Sequence, residues 1–276
     1  MRMKQRRIFF ICLAIACFSL LLIAASMAPD LPSTIDRKNA FKLPWEVPPF
    51  GTDMNGRPLI EYATQGAKII AIPSLVAGVL VAFFGMIGGL LRAVESPILQ
   101  ALIQLLNEII GALPRMVVIL VAALLIPPSW RSLLPLAVIW AILCAPGAID
   151  EAGSVIKRLG GARFVEALRA HGFSSWRIYM NHIVWHNLRP VLVRQGAETM
   201  MMVAFLEVAL SYLSIVELQS SFTHSDSMRF WAELLQEGYR WLALGIPSGH
   251  ALALGISLLG LIVVTAMAIG KAAEAR

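Results

Sequence analysis

From Ile8 to Ala28 the chain runs without a charged side chain, and it does so again from Ile69 to Leu91 and from Ile246 to Gly270. Crossing the hydrocarbon of a bilayer as a helix takes about 20 apolar residues. Three such runs in one chain constrain it to an all-α membrane protein, because only internally hydrogen-bonded segments are stable in lipid. Three further stretches bring the set to six: Ile98–Ile126, long and interrupted by Pro114; Leu133–Ile149, short and carrying Pro135 and Pro146; and Val191–Leu213. Pro146 is expected to distort the inner end of the fourth. Charged residues make up only 14% of the chain, against about 25% in soluble domains. Cys12, Cys17 and Cys144 all lie inside apolar runs, with no metal-type spacing and no expectation of a disulfide.

The segment MRMKQRR before the first run resembles the basic start of a secretory leader, with Ser26-Met27-Ala28 as a cleavage site. The apolar core is longer than the roughly 7–15 residues of a leader, so an uncleaved anchor is expected. With the N-terminus inside, Lys and Arg number thirteen in cytoplasmic segments and eight in external ones. That bias places both termini and residues 150–190 in the cytoplasm and residues 29–68 outside.

Residues 29–50 carry five prolines and form an extended external connector. Asn55-Gly56 then supplies a turn, and Pro58 opens a short helix. Residues 214–245 form a second external loop whose Trp231, Tyr239 and Trp241 are of the type found at membrane interfaces. Gly85, Gly88 and Gly89 allow close helix approach, and Met200, Met201 and Met202 provide adaptable packing.

Polar residues inside the spans are expensive and face protein or water. In the third, Gln100, Gln104, Asn107, Glu108, Gly111 and Arg115 recur on one helical face. This stripe lines a translocation path or packs against neighbouring helices, and the sequence leaves both open. In the fifth, Arg194 and Glu198 are spaced as a helix-end ion pair, while Glu207 lies deeper and joins the candidate path residues.

The stretch RFVEALRAHGFSSWRIYMNHIVWHNLRP at residues 163–190 is basic and amphipathic between two apolar runs. Residues 163–171 form a short helix with Phe164 and Leu168 on one face, and Gly172 stops it. Ser174 or Ser175 caps a second helix in which Trp176, Tyr179, Met180 and Ile183 share a face. Ala167 and Ala170 keep the first helix shallow, as suits a plug for a groove on another protein; a basic helix lying on the anionic leaflet is the other reading. Both ends lead into membrane spans, which argues against DNA binding. His171 and His186 have no Cys or acid to complete a metal site.

Glu166-Ala167, Ala170, Gly172, Ile178, His182, Asn187 and Pro190 resemble the cytoplasmic "EAA" loop of ABC importer permeases, in the spacing of the dipeptide/oligopeptide/nickel branch. A second match stands apart from it. Phe50-Gly51-Thr52-Asp53, Asn55-Gly56-Arg57 and Gly66-Ala67-Lys68 resemble that branch's external motif. Together with the six spans the resemblance covers nearly the whole chain. It departs at Pro58, where the family has Asp, at Val184, Trp185 and His186 in place of Leu-Pro, and at His171 in place of Leu, which suggests a divergent branch.

The resemblance implies a type I importer permease with six transmembrane helices and a cytoplasmic helix–turn–helix coupling loop. Its divisions would be 1–28, N-terminal segment and first span; 29–68, external connector; and 69–276, a permease core of five spans including the loop at 150–190. Phe164, Glu166, Ala167, Ala170, Gly172, Phe173, Ser174, Ile178 and His182 would couple to a separate cytoplasmic ATPase. Gly51, Thr52, Asp53, Gly56 and Arg57 would form the external motif, and Gln104, Asn107, Glu108, Arg115 and Glu207 the candidate path. The partners implied are a second permease subunit, the ATPase and an external solute-binding protein, in a bacterial cytoplasmic membrane. The implied cargo is peptides, or peptide-like or metal-chelate small solutes. No GxxxxGK[ST] phosphate loop is present, so ATP and magnesium belong to the partner, and neither a cofactor nor an enzymatic activity is expected of this chain. An ion-coupled secondary transporter using Glu207 and the polar stripe, and a non-transporting membrane scaffold, are the competing readings.

Overall fold

In a computed structural model, residues 2–29, 33, 35–92, 96–127, 130, 132–174, 177–212, 230–246 and 248–274 are described. The helices are α1 (Arg2–Ser26), α2 (Leu59–Leu91), α3 (Pro97–Ala112), α4 (Arg115–Leu125), α5 (Leu133–Gly160), α6 (Arg163–Ala170), α7 (Ile178–Leu188), α8 (Arg189–Tyr212), α9 (Trp231–Ala243) and α10 (Gly249–Glu274). No strand occurs among the described residues, only an isolated bridge between Thr52 and Pro58. The protein is therefore all-α.

Among the described residues, α1 from Gln5, α2, α5 and α10 are each long and apolar enough to cross a membrane. The third apolar stretch is a pair, α3 and α4, bent by 79°. The bend falls at Leu113 and Pro114, both extended, as expected of a proline and the residue before it. The fifth stretch is α8, which carries Arg194, Glu198 and Glu207 and so falls outside that apolar group. It packs instead between α2 and α10. On α1, Phe9, Ile15, Leu20 and Ile23 are exposed, the arrangement of a helix whose outer side meets lipid.

The centre of the bundle is α2 packed along α5 and α8. The expected glycine contacts are there. A Cβ on Gly85 would lie 3.0 Å from that of Ala148, one on Gly88 2.5 Å from Ile149 Cγ1, and one on Gly89 2.7 Å from the Cβ of Ala152. A contact with backbone was not anticipated: a Cβ on Gly78 would lie 2.8 Å from the Gly196 carbonyl oxygen, and one on Gly196 2.8 Å from that of Gly78. Here the backbones of α2 and α8 touch.

Three local expectations need correcting. The short stretch Leu133–Ile149 is part of a longer helix: α5 runs on to Gly160 through buried Pro146. The α5 face either side of it is clamped against α2, and that packing outweighs one missing backbone hydrogen bond. The short helix after Pro58 is not separate but is the first part of α2, which runs from Leu59 to Leu91 through Pro73. Trp231 is not an interfacial loop residue. It is fully buried at the start of α9, its Nε1 donates to the Ala63 carbonyl (3.1 Å), and its ring fills the space over Gly66. Ser175, Trp176 and residues 213–229 lie outside the described residues.

Candidate functional site

The two motif-bearing loops lie at opposite ends of the bundle. Ser33, Thr52 and Ala63 meet Glu61, His250 and Trp231 at one end. Arg92 meets Asp150, and Arg194 meets Glu151 and Glu274, at the other.

At the first end the segment 51–57 folds around one carboxylate. Asp53 Oδ1 accepts from the backbone N–H of Asn55 (2.8 Å) and of Arg57 (2.7 Å), and Oδ2 accepts from the Tyr62 hydroxyl (2.7 Å). Thr52 Oγ1 accepts from the Lys42 N–H (2.9 Å) and donates to the Asn39 carbonyl (2.5 Å), tying the proline-rich connector to the motif. Gly51 N–H donates to the Val47 carbonyl (2.8 Å). Gly56 has φ +76°, and a Cβ there would lie 1.8 Å from the Asp36 carbonyl oxygen, so no other residue fits the turn. Thr52, Asp53 and Arg57 are all buried. These five residues thus build a closed cap rather than an open binding surface.

Half-buried Glu233 and Glu237 of α9 face this cap. Burial, then the nearby Glu237 and Asp53 carboxylates, push the Glu233 carboxyl from its usual 4.5 up to about 8, with Arg57 pulling the other way. Burial and Asp53 also raise Glu237. The folded state therefore holds a proton that the unfolded chain releases. This contribution is full below about pH 4.5 and is lost as pH rises through about 8. The thermal midpoint of the detergent-solubilised protein is expected to fall between pH 5 and pH 8.5, and Glu233→Gln to flatten that slope. An unchanged slope in the variant would contradict this assignment.

At the other end, α6 closes with a paired cap. Phe173 N–H donates to the Leu168 carbonyl (3.1 Å) and Gly172 N–H to that of Arg169 (2.9 Å), with Gly172 at φ +83°. Ser174 Oγ then accepts from the Arg177 N–H (3.4 Å), so Ser174 fills the expected capping position. The second helix differs from expectation. In α7 the hydrogen bonding is π-helical, and the side chains follow it: Asn187 Nδ2 donates to the His182 carbonyl (2.8 Å) and His186 Nδ1 to that of Asn181 (2.5 Å), both five residues back. Val165 and Ile178 are completely buried and anchor the unit. Glu166, Ala167, Ala170, Gly172 and Ser174 are exposed, as are Phe164 (40%) and Phe173 (38%). Half-buried His182 sets its ring edge-on to Phe173 at 6.5 Å and stacks on His186 at 6.3 Å. The result is a small platform whose outer face mixes exposed Phe164, Ala167, Ala170 and Phe173 with exposed Arg163, Glu166 and Arg169.

On the Arg92–Asp150 side of the bundle an open polar groove of about 660 Å³ lies along α3, α4 and α5. It gathers Gln100, Gln104, Asn107, Glu108, Gly111 and Arg115, the whole predicted stripe. Gln104 Nε2 donates to Glu108 Oε1 (2.9 Å). Asn107 is buried and donates to Asp150 (3.0 Å), which also pairs with Arg92 (2.6 Å). Glu207 is not in this groove; it is buried on α8. Sequence reading missed Arg92, Asp150 and Lys157, which line the groove from α2 and α5. The signal was available: Gly147, Asp150 and Lys157 share a helical face, but only if the helix continues past Pro146.

No family model matches the chain. It is 27% identical over 177 residues to a probable D,D-dipeptide transport system permease protein of Escherichia coli (strain K12), covering 62% of this chain and 57% of that protein. Over that stretch the chain is similar to this permease protein, and it spans less than two thirds of that protein's length. Its long apolar helices are those of an integral membrane protein.

Arg194 does more than the expected pairing with Glu198 (3.1 Å). Its guanidinium also contacts Glu151 of α5 and Glu274 of α10, and Gln195 donates to Glu151 as well. One arginine therefore ties three helices together beside the α6–α7 platform. The two distant acids had no spacing signal in the sequence.

Proposed function

We propose that the chain is a permease subunit of an ATP-driven importer. It forms half of a translocation path for peptides, or for peptide-like or metal-chelate small solutes, and it takes its motion from a separate ATPase through residues 163–190. One observation carries the reading: a platform held to the bundle through buried Ile183, Val184 and Leu188 of α7 presents exposed Phe164, Ala167, Ala170 and Phe173. α7 packs on α5 and α8, which Arg194 ties to each other and to α10, so a push on the platform reaches these helices together.

On this reading the platform lies in the cytoplasm, the Asp53 cap lies outside, and α8 and the bent α3–α4 pair complete six crossings. A second permease subunit closes the other side of the polar groove, and an external binding protein delivers the solute. ATP and magnesium are held by the ATPase; this chain does no chemistry of its own. The mixed lining of Arg92, Arg115 and Lys157 with Glu108 and Asp150 suits solutes carrying both charges.

The test is to purify the chain from native membranes in mild detergent and identify its companions. A stoichiometric cytoplasmic ATPase and a second multi-span chain are expected. Ala170→Asp is expected to lose the ATPase at least tenfold while membrane insertion is unchanged. Undiminished ATPase recovery with this variant would sink the coupling role.

A further inference from the structure

The groove at the platform end of α1 has no part in the proposed transport function. It is bounded by α1, the end of α7, the start of α8 and the end of α10, and is an open groove of about 550 Å³. Its chemistry changes along its length. Ile11, Ile15, Val193 and Ile269 make an apolar trough. Arg7, His186 and Arg189 stand at one end of the sequence register of those helices, beside Trp185. Among the described residues no carboxylate lines it.

Water is a poor occupant for such a trough, since wetting apolar side chains forfeits the gain of covering them. A small anion satisfies only the cationic end. A molecule with a hydrocarbon chain and an anionic head satisfies both. The position is also that of a membrane boundary. Arg7 directly precedes the uncharged run of α1, and Arg189 directly follows Trp185–Leu188 at the start of α8. Trp185 is 63% exposed, and the Arg189 guanidinium lies 5.0 Å from its ring centroid. An indole at this level marks the headgroup region of a bilayer, and basic pockets between membrane helices bind anionic headgroups.

We propose that this groove is a binding site for an anionic phospholipid, with an acyl chain along Ile11, Ile15, Val193 and Ile269 and the phosphate between Arg7 and Arg189. Arginine suits the head because its planar donors match phosphate oxygens in pairs. The trough then joins α1, otherwise held by α10 and α2, to α7 and α8. A bound lipid would thereby clip the N-terminal helix to the platform end of the bundle. This goes beyond the transport reading and does not depend on it.

The test uses the full chain, purified and stripped of lipid by detergent exchange. Thermal midpoints are compared after adding dioleoyl-phosphatidylglycerol, dioleoyl-phosphatidylcholine or inorganic phosphate at equal concentration. Phosphatidylglycerol is expected to raise the midpoint by several degrees and the other two to do much less. Equal shifts with phosphatidylcholine would overturn headgroup recognition, and an equal shift with inorganic phosphate would overturn the lipid in favour of a simple anion. An Arg7→Gln, Arg189→Gln double variant should lose most of the phosphatidylglycerol-specific shift; a retained shift overturns this location. Should that variant fail to fold, photoactivatable phosphatidylglycerol on the unaltered protein decides the matter. Labelling confined to peptides containing residues 11–15 or 185–193 supports the site, and labelling elsewhere overturns it.

Discussion

Valine in place of Gly78 is expected to leave little folded protein in the membrane. The added Cβ would sit 2.8 Å from the Gly196 carbonyl oxygen and 2.7 Å from Met200 Cγ. The methionine can move; the backbone of α8 cannot move without dragging the Arg194 cluster that joins α5, α8 and α10. Overpacking a core costs typically about 1–3 kcal/mol, and more when backbone must shift. Because α2 against α5 and α8 is the centre of the bundle, the loss applies to the whole fold. The measurement is the yield of monodisperse protein by fluorescence-detected size-exclusion chromatography, expected to fall at least fivefold. Gly260→Ala is the control. A Cβ there meets nothing within 4 Å, so yield and thermal midpoint should be unchanged or slightly improved. Equal behaviour of the two variants would refute the backbone contact.

The second large effect is expected from Asp53→Ala. Removing the carboxylate strands the N–H groups of Asn55 and Arg57 and the Tyr62 hydroxyl, three donors that now find their acceptor in one buried side chain. Each buried group left unsatisfied costs about 1–3 kcal/mol, so a loss on the order of 3 kcal/mol or more is expected. It should appear as a fall in thermal midpoint together with faster proteolysis of residues 35–58. Asp53→Asn keeps one carbonyl oxygen for the two backbone donors and should recover much of the loss. If alanine and asparagine are equally benign, the cap is not organised by this carboxylate.

What was readable in the sequence follows from the range of the physics that wrote it. Long apolar runs are local, and α1, α2, α5 and α10 were all anticipated. The Gly172 turn and the Ser174 cap are also local, since one left-handed residue and one side-chain oxygen decide them. The ends of α2 and α5 were misjudged because tertiary packing decides them. The polar start of α2 is buried against the Asp53 cap and Trp231, so a membrane-length criterion placed its start ten residues late, at Ile69 instead of Leu59. The α5 helix survives Pro146 because α2 holds it.

The candidate site divides in the same way. The stripe from Gln100 to Arg115 was legible because one helical face carries it and the groove collects it whole. Its partners Arg92 and Asp150 lie on other helices, and Glu207, grouped with the stripe for being a deep acid, faces a different part of the bundle. The π-helical winding of α7 had no sequence signal at all. It shifts the periodicity from i+4 to i+5, so faces drawn on an α-helix misplace His182 relative to His186 and Asn187.

The central claim is that residues 163–190 transmit force from a separate ATPase, and site-directed crosslinking tests it most directly. With Cys12, Cys17 and Cys144 replaced by serine, Ala170→Cys is placed on the exposed face of α6. A short thiol-to-amine crosslinker is then applied to native membranes. The account predicts one dominant adduct, with a soluble nucleotide-binding protein, whose yield changes when ATP is added. It also predicts no such adduct from a cysteine at Ser257 within α10. Failure of Ala170→Cys to capture a nucleotide-binding protein, in membranes where the variant is inserted and stable, would contradict the account.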